Sequence, residues 1–361
     1  RQNTMLWTTK AIRVSQLKPG MILARPVLSQ SSHILVSENA VLNEQIIRLL
    51  ESWDIKDVHV KEPRLSKDDY LLSLLSEQRT FSEHHAEILN VLKTAFEKTR
   101  YFKEVPLAQI TQLADQTVES LINSTGVISH LSMIQAVDDY TFRHSVNVSI
   151  IAGIIGKWLG YTGSTLKELV LTGLLHDIGK TQIPLEILNK PASLTPEEMD
   201  VMQNHPALGF ELIKGANLPR EVVLGVLQHH EKLDGSGYPF GLIDSDINTY
   251  ARIVAVADIY DAMTSDRVYR KALTPFNVLA DVFPEEMFSK LDPTITVPFI
   301  SHVKDSLIGY VIRLSDGSQA RVIYFDKDRL LHPVVKLASG EFVDLEKRRD
   351  LTVVEVIATA T

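Results

Sequence analysis

The 361-residue chain contains no cysteine. That excludes disulfides and thiolate metal ligands, so any metal must be held by nitrogen and oxygen donors. A run of about 20 apolar residues, which a helix needs to span a membrane, is missing too. The most apolar stretch, residues 146–159, is too short and carries Asn147 and Lys157, so it reads as a buried helix and no membrane span is predicted. No charged segment followed by an apolar one opens the sequence, so no secretion signal is predicted and the cytoplasm is the expected location. Excess positive charge is also lacking. With 37 Lys+Arg against 45 Asp+Glu the formal net charge is -8, which excludes a whole-protein electrostatic footprint for duplex nucleic acid or anionic membrane.

What is present belongs to a folded protein: 45% hydrophobic and 23% charged residues, in a chain longer than one hydrophobic core usually organises. Residues 1–62 alternate short apolar runs, at 21–24, 34–36 and 58–60, with turn chemistry at Pro19-Gly20, which predicts strands. Ile46, Leu49, Leu50 and Trp53 recur at helical spacing, which adds one amphipathic helix and makes this segment a small α+β domain. Residues 63–136 change to a helical connecting region, with helices predicted at 86–99 and 107–121. Helical periodicity continues through 137–299. Two starts there match the capping box, Thr165 with Glu168 and Thr195-Pro196 with Glu198. Residues 300–361 return to alternation at 310–314, 320–324 and 334–337, with turns at Asp316-Gly317 and Ser339-Gly340, and read as a small C-terminal β appendage. The predicted fold class is mainly α.

Five of the 12 histidines fall in one stretch: His144, His176, His205, His229 and His230. Asp177 follows His176 directly, and Asp258 lies further on. His176 and Asp177 end a helical segment whose other residues are nearly all apolar, so two polar side chains stand where burial is expected. Any one of these histidines is more often a hydrogen-bonded core or surface residue. That reading is kept for His33, His59, His84, His85, His130, His302 and His332. The set is different. Imidazole and carboxylate donors suit Fe, Mn, Zn or Ni, and a shared carboxylate can serve two cations about 3.5–4 Å apart, as in two-metal phosphoesterases. One geometric obstacle stands: neighbours on a regular helix point about 100° apart, so His229 and His230 cannot both enter one site from an ideal helix. Either the backbone is irregular there or one of the two acts from behind the other. Lys180, Arg267, Arg270 and Lys271 are nearby cations able to neutralise a phosphate, although basic residues after a helix commonly cap carbonyls.

Read in order, His144, His176-Asp177, Lys180, His205-Pro206, His229-His230, Asp234-Gly-Ser-Gly-Tyr238-Pro239, Asp258 and Thr264-Ser-Asp-Arg267 resemble the HD-GYP domain, a group within the HD phosphohydrolases, over residues 138–299. The first domain resembles the small domain often fused ahead of such modules, and the last segment the β appendage that follows some of them. The resemblance implies an all-α domain that hydrolyses cyclic di-GMP to pGpG, and in some members to GMP, by in-line attack of a metal-bridging hydroxide. It implies two divalent metal ions, Fe or Mn before Ni or Zn. His144, His176, Asp177 and Asp258 would hold one, and a bridging Asp177 with His205, His229 and His230 the other. Asp177, Lys180 and Arg267 take the catalytic roles; Lys180, Tyr238, Arg267 and Arg270 contact substrate. Members with a third metal use a Glu four residues before the first ligand histidine. Tyr140 stands there, so two metals are expected. The alternatives are a preference for cyclic GMP-AMP and a non-catalytic cyclic-dinucleotide receptor, with a second copy or a signalling protein as partner.

Overall fold

The computed structural model describes residues 7–18, 20–28, 34–36, 40, 42, 44–53, 55–63, 67–123, 127–128, 131, 140–265, 272–283, 290–325 and 332–358. The chain forms two compact units, Arg1–Ser76 and Glu77–Thr361. No described helix is long and apolar enough to cross a membrane.

In the first unit, strand β1 (Trp7–Arg13) pairs antiparallel with β4 (Asp57–Pro63), and β2 (Val27–Leu28) with β3 (Ile34–Val36). Helix α1 spans Glu44–Ser52. Leu23, Leu42, Leu50, Val58 and Val60 form the core. The run at 21–24 makes only an isolated bridge, Leu23 to Val60. Its backbone groups are shared between two neighbours: Leu23 donates to Ala40 and Leu42 donates to Met21, while Ala24 donates to His59 and Lys61 to Ile22. On α1, Leu50 is fully buried, whereas Leu49 and Trp53 are exposed.

Up to Leu307 the described residues of the second unit form helices and turns, with one isolated bridge between Asp234 and Ile243. Helix α2 spans Lys67–Phe102, and α3, Leu107–Gln116, runs on into a π-helical turn at Thr117–Ile122. The segment predicted as one helix over 107–121 therefore widens at its end, where the Thr117 hydroxyl donates back to the Leu113 carbonyl. Helix α4 (Tyr140–Trp158) is buried at every residue from Arg143 to Gly156, which makes it the central helix of the unit. It packs against α5 (Gly163–Leu175), and the chain continues through α6 (Pro196–Gln203), α7 (His205–Ile213) and α8 (Arg220–Gln228) to α9 (Thr249–Thr264) and α10 (Pro293–Leu307), which also pack on it. The capping box at Thr195 forms in both directions. The one expected at Thr165 does not: α5 begins earlier, with Thr162 at its N-cap, and the Glu168 carboxylate accepts from the Tyr250 hydroxyl instead.

An antiparallel sheet of β5 (Val311–Leu314), β6 (Gln319–Phe325), β7 (Pro333–Leu337), β8 (Phe342–Asp344) and β9 (Val353–Ala358), in the order β8-β7-β6-β5-β9, ends the unit. The last two strands are additional to those predicted. Ile312, Leu314, Ala320, Val322 and Val335 belong to the same hydrophobic core as the helices, so the sheet is welded to the helical body by apolar burial.

The crossing of α4 and α5 sets the two elements that carry the first candidate residues. Gly173 sits against the backbone of Ser149, where an added Cβ would lie 2.5 Å from the Ser149 Cα. Gly173→Ala should therefore lower stability by about 1–3 kcal/mol, the usual cost of overpacking. Gly215→Ala meets nothing within 4 Å and should leave stability unchanged. Equilibrium urea denaturation compares them, and equal midpoints for the two variants would refute so close a crossing.

Candidate metal centre

Most of the candidate residues gather because helices stop or start where they stand. Helix α5 ends at Leu175 with His176 as its C-cap. Asp177 then takes φ -98, ψ 9, and a short 3-10 turn follows over Ile178–Gln182. That turn lies against the start of α7, so closely that a Cβ on Gly179 would fall 1.9 Å from the His205 carbonyl oxygen. Only glycine permits the approach, which brings Asp177 to His205. His205 is the first residue of α7, and Asp258 sits within α9. The obstacle at His229 and His230 dissolves because α8 ends at Gln228 with His229 as its C-cap. Both rings thus enter the same space from the turn that closes the helix, with centroids 4.2 Å apart.

Three of the rings are locked in one way. The Nδ1–H groups of His176, His205 and His229 donate to the carbonyls of Gly173, Met202 and Val226, at 2.7, 2.8 and 2.7 Å. A carbonyl only accepts, so each ring keeps a proton on Nδ1 and turns its Nε2 inward. Burial lowers the pKa of His205 and, together with the crowding of neighbouring imidazoles, drives that of His229 well down, so both rings are neutral. Their Nε2 atoms nevertheless lie 3.2 Å apart, and His205 Nε2 is 3.2 Å from Asp177 Oδ1. Acceptors thus face acceptors. His176 Nε2 and Asp177 Oδ1 are buried and make no hydrogen bond. Such an arrangement of nitrogen and oxygen lone pairs fits a cation, and metal-sized groupings exist around Asp177 on both sides: with His205, His229 and His230, and with His144 and His176.

His144 is held differently. Its Nδ1 donates to Asp261 Oδ2 at 2.7 Å, and its Nε2 lies 2.9 Å from Asp258 Oδ1. Burial alone would lower its pKa, but the hydrogen bonds and charges of Asp258 and Asp261 raise it to about 9. Asp258 is also 3.6 Å from His230 Nδ1, and burial brings His230 down to about 3. For Asp177, burial is outweighed by His176 and Lys180, and its carboxyl stays well below the usual range. The Lys180 ammonium donates to Asp177 Oδ2 at 2.5 Å.

These groups open on a cavity of about 1190 Å³ lined by His144, Lys180, His205, His230, Tyr238 and Asp258, among others. That exceeds the roughly 300–1,000 Å³ typical of pockets for drug-sized ligands. Tyr238 packs its ring 4.7 Å from that of His230. Tyr140 stacks on the His144 ring at 5.5 Å. Arg267, Arg270 and Lys271 lie outside the described residues.

Four further residues take part that sequence reasoning passed over. Glu231, buried, accepts the backbone N–H groups of Phe240 and Leu242 and so fixes the loop that carries Tyr238. Asp261 and Asn147 support His144 from behind. His85, read from sequence as an ordinary histidine, bonds Asn147. Spacing offered a signal for two of them, since Asp261 follows Asp258 and Asn147 follows His144 by three residues, one helical turn on the same face.

Residues 128–295 match the HD domain family. Cyclic di-GMP phosphodiesterase PA4108 of Pseudomonas aeruginosa is 33% identical over 243 residues, covering 67% of this chain and 58% of that protein. Cyclic di-GMP phosphodiesterase PdeB of Borreliella burgdorferi is 26% identical over 318 residues, 85% of this chain and 83% of that one. 3'3'-cGAMP-specific phosphodiesterase 1 of Vibrio cholerae is 35% identical over 167 residues, 45% and 38% respectively. Among solved structures, Bd1817, a HDG"Y"P protein from Bdellovibrio bacteriovorus, shares the fold with TM-score 0.51 at 18% identity, over 82% of this chain and 100% of that one. The chain spans 58% of the length of PA4108.

With His144 as a ligand, its charge would make metal uptake pH-dependent. Its raised pKa, about 9 without metal, means that the ring is protonated below that pH, whereas a ligating imidazole must be neutral. Mn2+ affinity should therefore rise with pH up to about 9 and then level off. About one proton per chain should be released on binding near pH 7.5, as titration calorimetry in buffers of different ionisation enthalpy reports. Binding without proton release would contradict this account of His144.

Proposed function

Since the chain belongs to the HD-domain family and to its HD-GYP group, we propose that it is a metal-dependent phosphodiesterase that opens a cyclic dinucleotide, cyclic di-GMP in preference to cyclic GMP-AMP. The observation that carries the reading is the convergence of unprotonated imidazole nitrogens and a buried carboxylate on Asp177. The names of the relatives point to the same substrate class, and cyclic di-GMP comes first because both PA4108 and PdeB are described as acting on it. Cyclic GMP-AMP is the second candidate, as the name of the Vibrio cholerae relative indicates.

In this reading His144, His176, Asp177 and Asp258 hold one divalent ion, and Asp177, His205, His229 and His230 the other, with Fe or Mn preferred by availability over Ni or Zn. Two such cations polarise a phosphate ester and make water acidic enough to attack it near neutral pH. The chain's own groups do the rest. Asp177, held ionised by His176 and Lys180, is the carboxylate shared by both sets. Lys180, whose side chain is partly open to the cavity, supplies positive charge where the phosphate gains negative charge, which is worth most in a water-poor site. Tyr238, fixed through Glu231, forms a wall against which the nucleotide rests. Arg267 and Arg270 are proposed to meet the phosphates, on sequence grounds. Tyr140, not a carboxylate, stands where a third ion would need a ligand, so the proposed count is two.

Asp177→Ala should lose both metals and lower cyclic di-GMP hydrolysis by roughly 10^3-fold or more, since it removes the ligand common to both sets. Lys180→Ala should keep both metals and lower kcat by about 10^2–10^3-fold, the usual effect of deleting a transition-state charge partner. Metal analysis of anaerobically purified protein, with turnover of cyclic di-GMP, cyclic GMP-AMP and linear nucleotides, checks both variants. Wild-type turnover by Asp177→Ala would sink the reading. Tight cyclic di-GMP binding without turnover by the metal-loaded protein would favour a receptor.

A further inference from the structure

Behind His144 a chain of hydrogen bonds runs out of the metal centre and ends on a helix that precedes the family-matched segment 128–295. His144 Nδ1 donates to Asp261 Oδ2 at 2.7 Å. The other carboxylate oxygen, Asp261 Oδ1, accepts from Asn147 Nδ2 at 2.7 Å and from the Ser265 hydroxyl at 3.1 Å. Because a carboxylate only accepts, the Asn147 amide must turn its nitrogen toward Asp261 and its oxygen away. That oxygen meets His85 Nε2 at 2.8 Å, so His85 carries its proton on Nε2 and is the last donor of the series. All four side chains are buried, and His85 is only 2% exposed. The His85 ring also stacks against Phe81 on the same helix at 6.4 Å.

We propose that helix α2 is a working part of the metal centre, in which His85 acts as a positioning residue for His144 by orienting Asn147 and, through it, Asp261. The inference rests on reading His144 as a metal ligand. Among the described site histidines, His176, His205 and His229 take their orientation from carbonyls of their own helical turns. His144 lies inside α4, the fifth residue of Tyr140–Trp158, where the carbonyls are consumed by the helix, so its ring has to be aimed by another element. Asp261 does this, and an aspartate with two rotatable bonds needs both oxygens engaged to stay fixed. Asn147 supplies one of those engagements only in the amide orientation that His85 imposes. Without His85, the Asn147 oxygen is a buried acceptor with no donor, and rotation of the amide would turn an oxygen toward the Asp261 carboxylate. The helix makes a second, separate contact with the centre. Arg100 donates to the carbonyls of Lys180 and Ile183 at 2.8 and 2.9 Å and so clamps the turn that carries Lys180. Two sites on α2, about four turns apart, thus brace the two sides of Asp177.

The test compares His85→Gln, which keeps a donor that can reach Asn147, with His85→Leu, which keeps the apolar volume and removes the donor. Mn2+ binding to the full chain is followed by calorimetry, on protein shown to be folded by circular dichroism. Loss of an outer-shell partner typically weakens a metal site about 10–100-fold. His85→Leu should show this loss at one of two Mn2+ sites, with the other unchanged, together with a lower kcat at unaltered KM. His85→Gln should stay within about threefold of wild type, because rescue needs only the hydrogen bond. Wild-type Mn2+ binding by His85→Leu, or equal weakening by both variants as a packing role would produce, overturns the proposal. If the unaltered chain itself binds no Mn2+, the metal-centre reading falls with it; two tight sites in the unaltered chain and in His85→Leu reject the positioning role alone.

Discussion

Two neutral imidazole nitrogens facing each other at 3.2 Å, with a carboxylate oxygen at the same distance from one of them, are a contact that no hydrogen bond can satisfy. A buried acceptor left without a donor costs about 1–3 kcal/mol, and the centre gathers several. The surrounding fold accepts this cost and enforces it. Carbonyls at three helix ends hold the protons on the far nitrogens, and Gly179 lets the turn after α5 lie against His205. Lys180 offsets part of the charge on Asp177. A divalent cation bound there would turn these mutually repelling lone pairs into ligands.

The rings around Asp177 are oriented on two different principles. For His176, His205 and His229 orientation is local, set by backbone carbonyls at helix ends, and burial keeps His205, His229 and His230 unprotonated. For His144 orientation is long-range, set by Asp261 and by residues on α4 and α2, and the neighbouring carboxylates keep the ring protonated, a proton that a metal ligand would have to give up. The first kind of site is prepared by the chain's own turns. The second depends on packing between elements far apart in sequence, which explains why residues outside the family-matched segment take part.

Much of this was legible beforehand. The concentration of His and Asp in apolar helices, and the order in which they recur, marked the centre because burying such groups without a purpose is costly. The obstacle at His229-His230 was also correctly posed from helix geometry, and its answer, a helix that stops at Gln228, needed coordinates because nothing in the local text breaks the helix there. His85 was illegible for a plainer reason. Its partner Asn147 is 62 residues away, and a lone histidine on an otherwise apolar helix face gives no hint of such a contact. Glu231 hid in the same way, since its value lies in two backbone groups of the loop that follows it. In the sheet, β8 and β9 escaped because exposed Phe342 and Val354 blur the alternation that reveals a strand. At Thr165, the capping pattern was present but Tyr250 claimed the glutamate.

The central claim is that Asp177 is shared between two cations. Anomalous X-ray scattering from crystals of the Mn2+-loaded protein tests it most directly. The account predicts two peaks about 3.5–4 Å apart, the separation of two-metal sites, each within ligand distance of Asp177. A single peak, or a pair of which one does not touch Asp177, would contradict it.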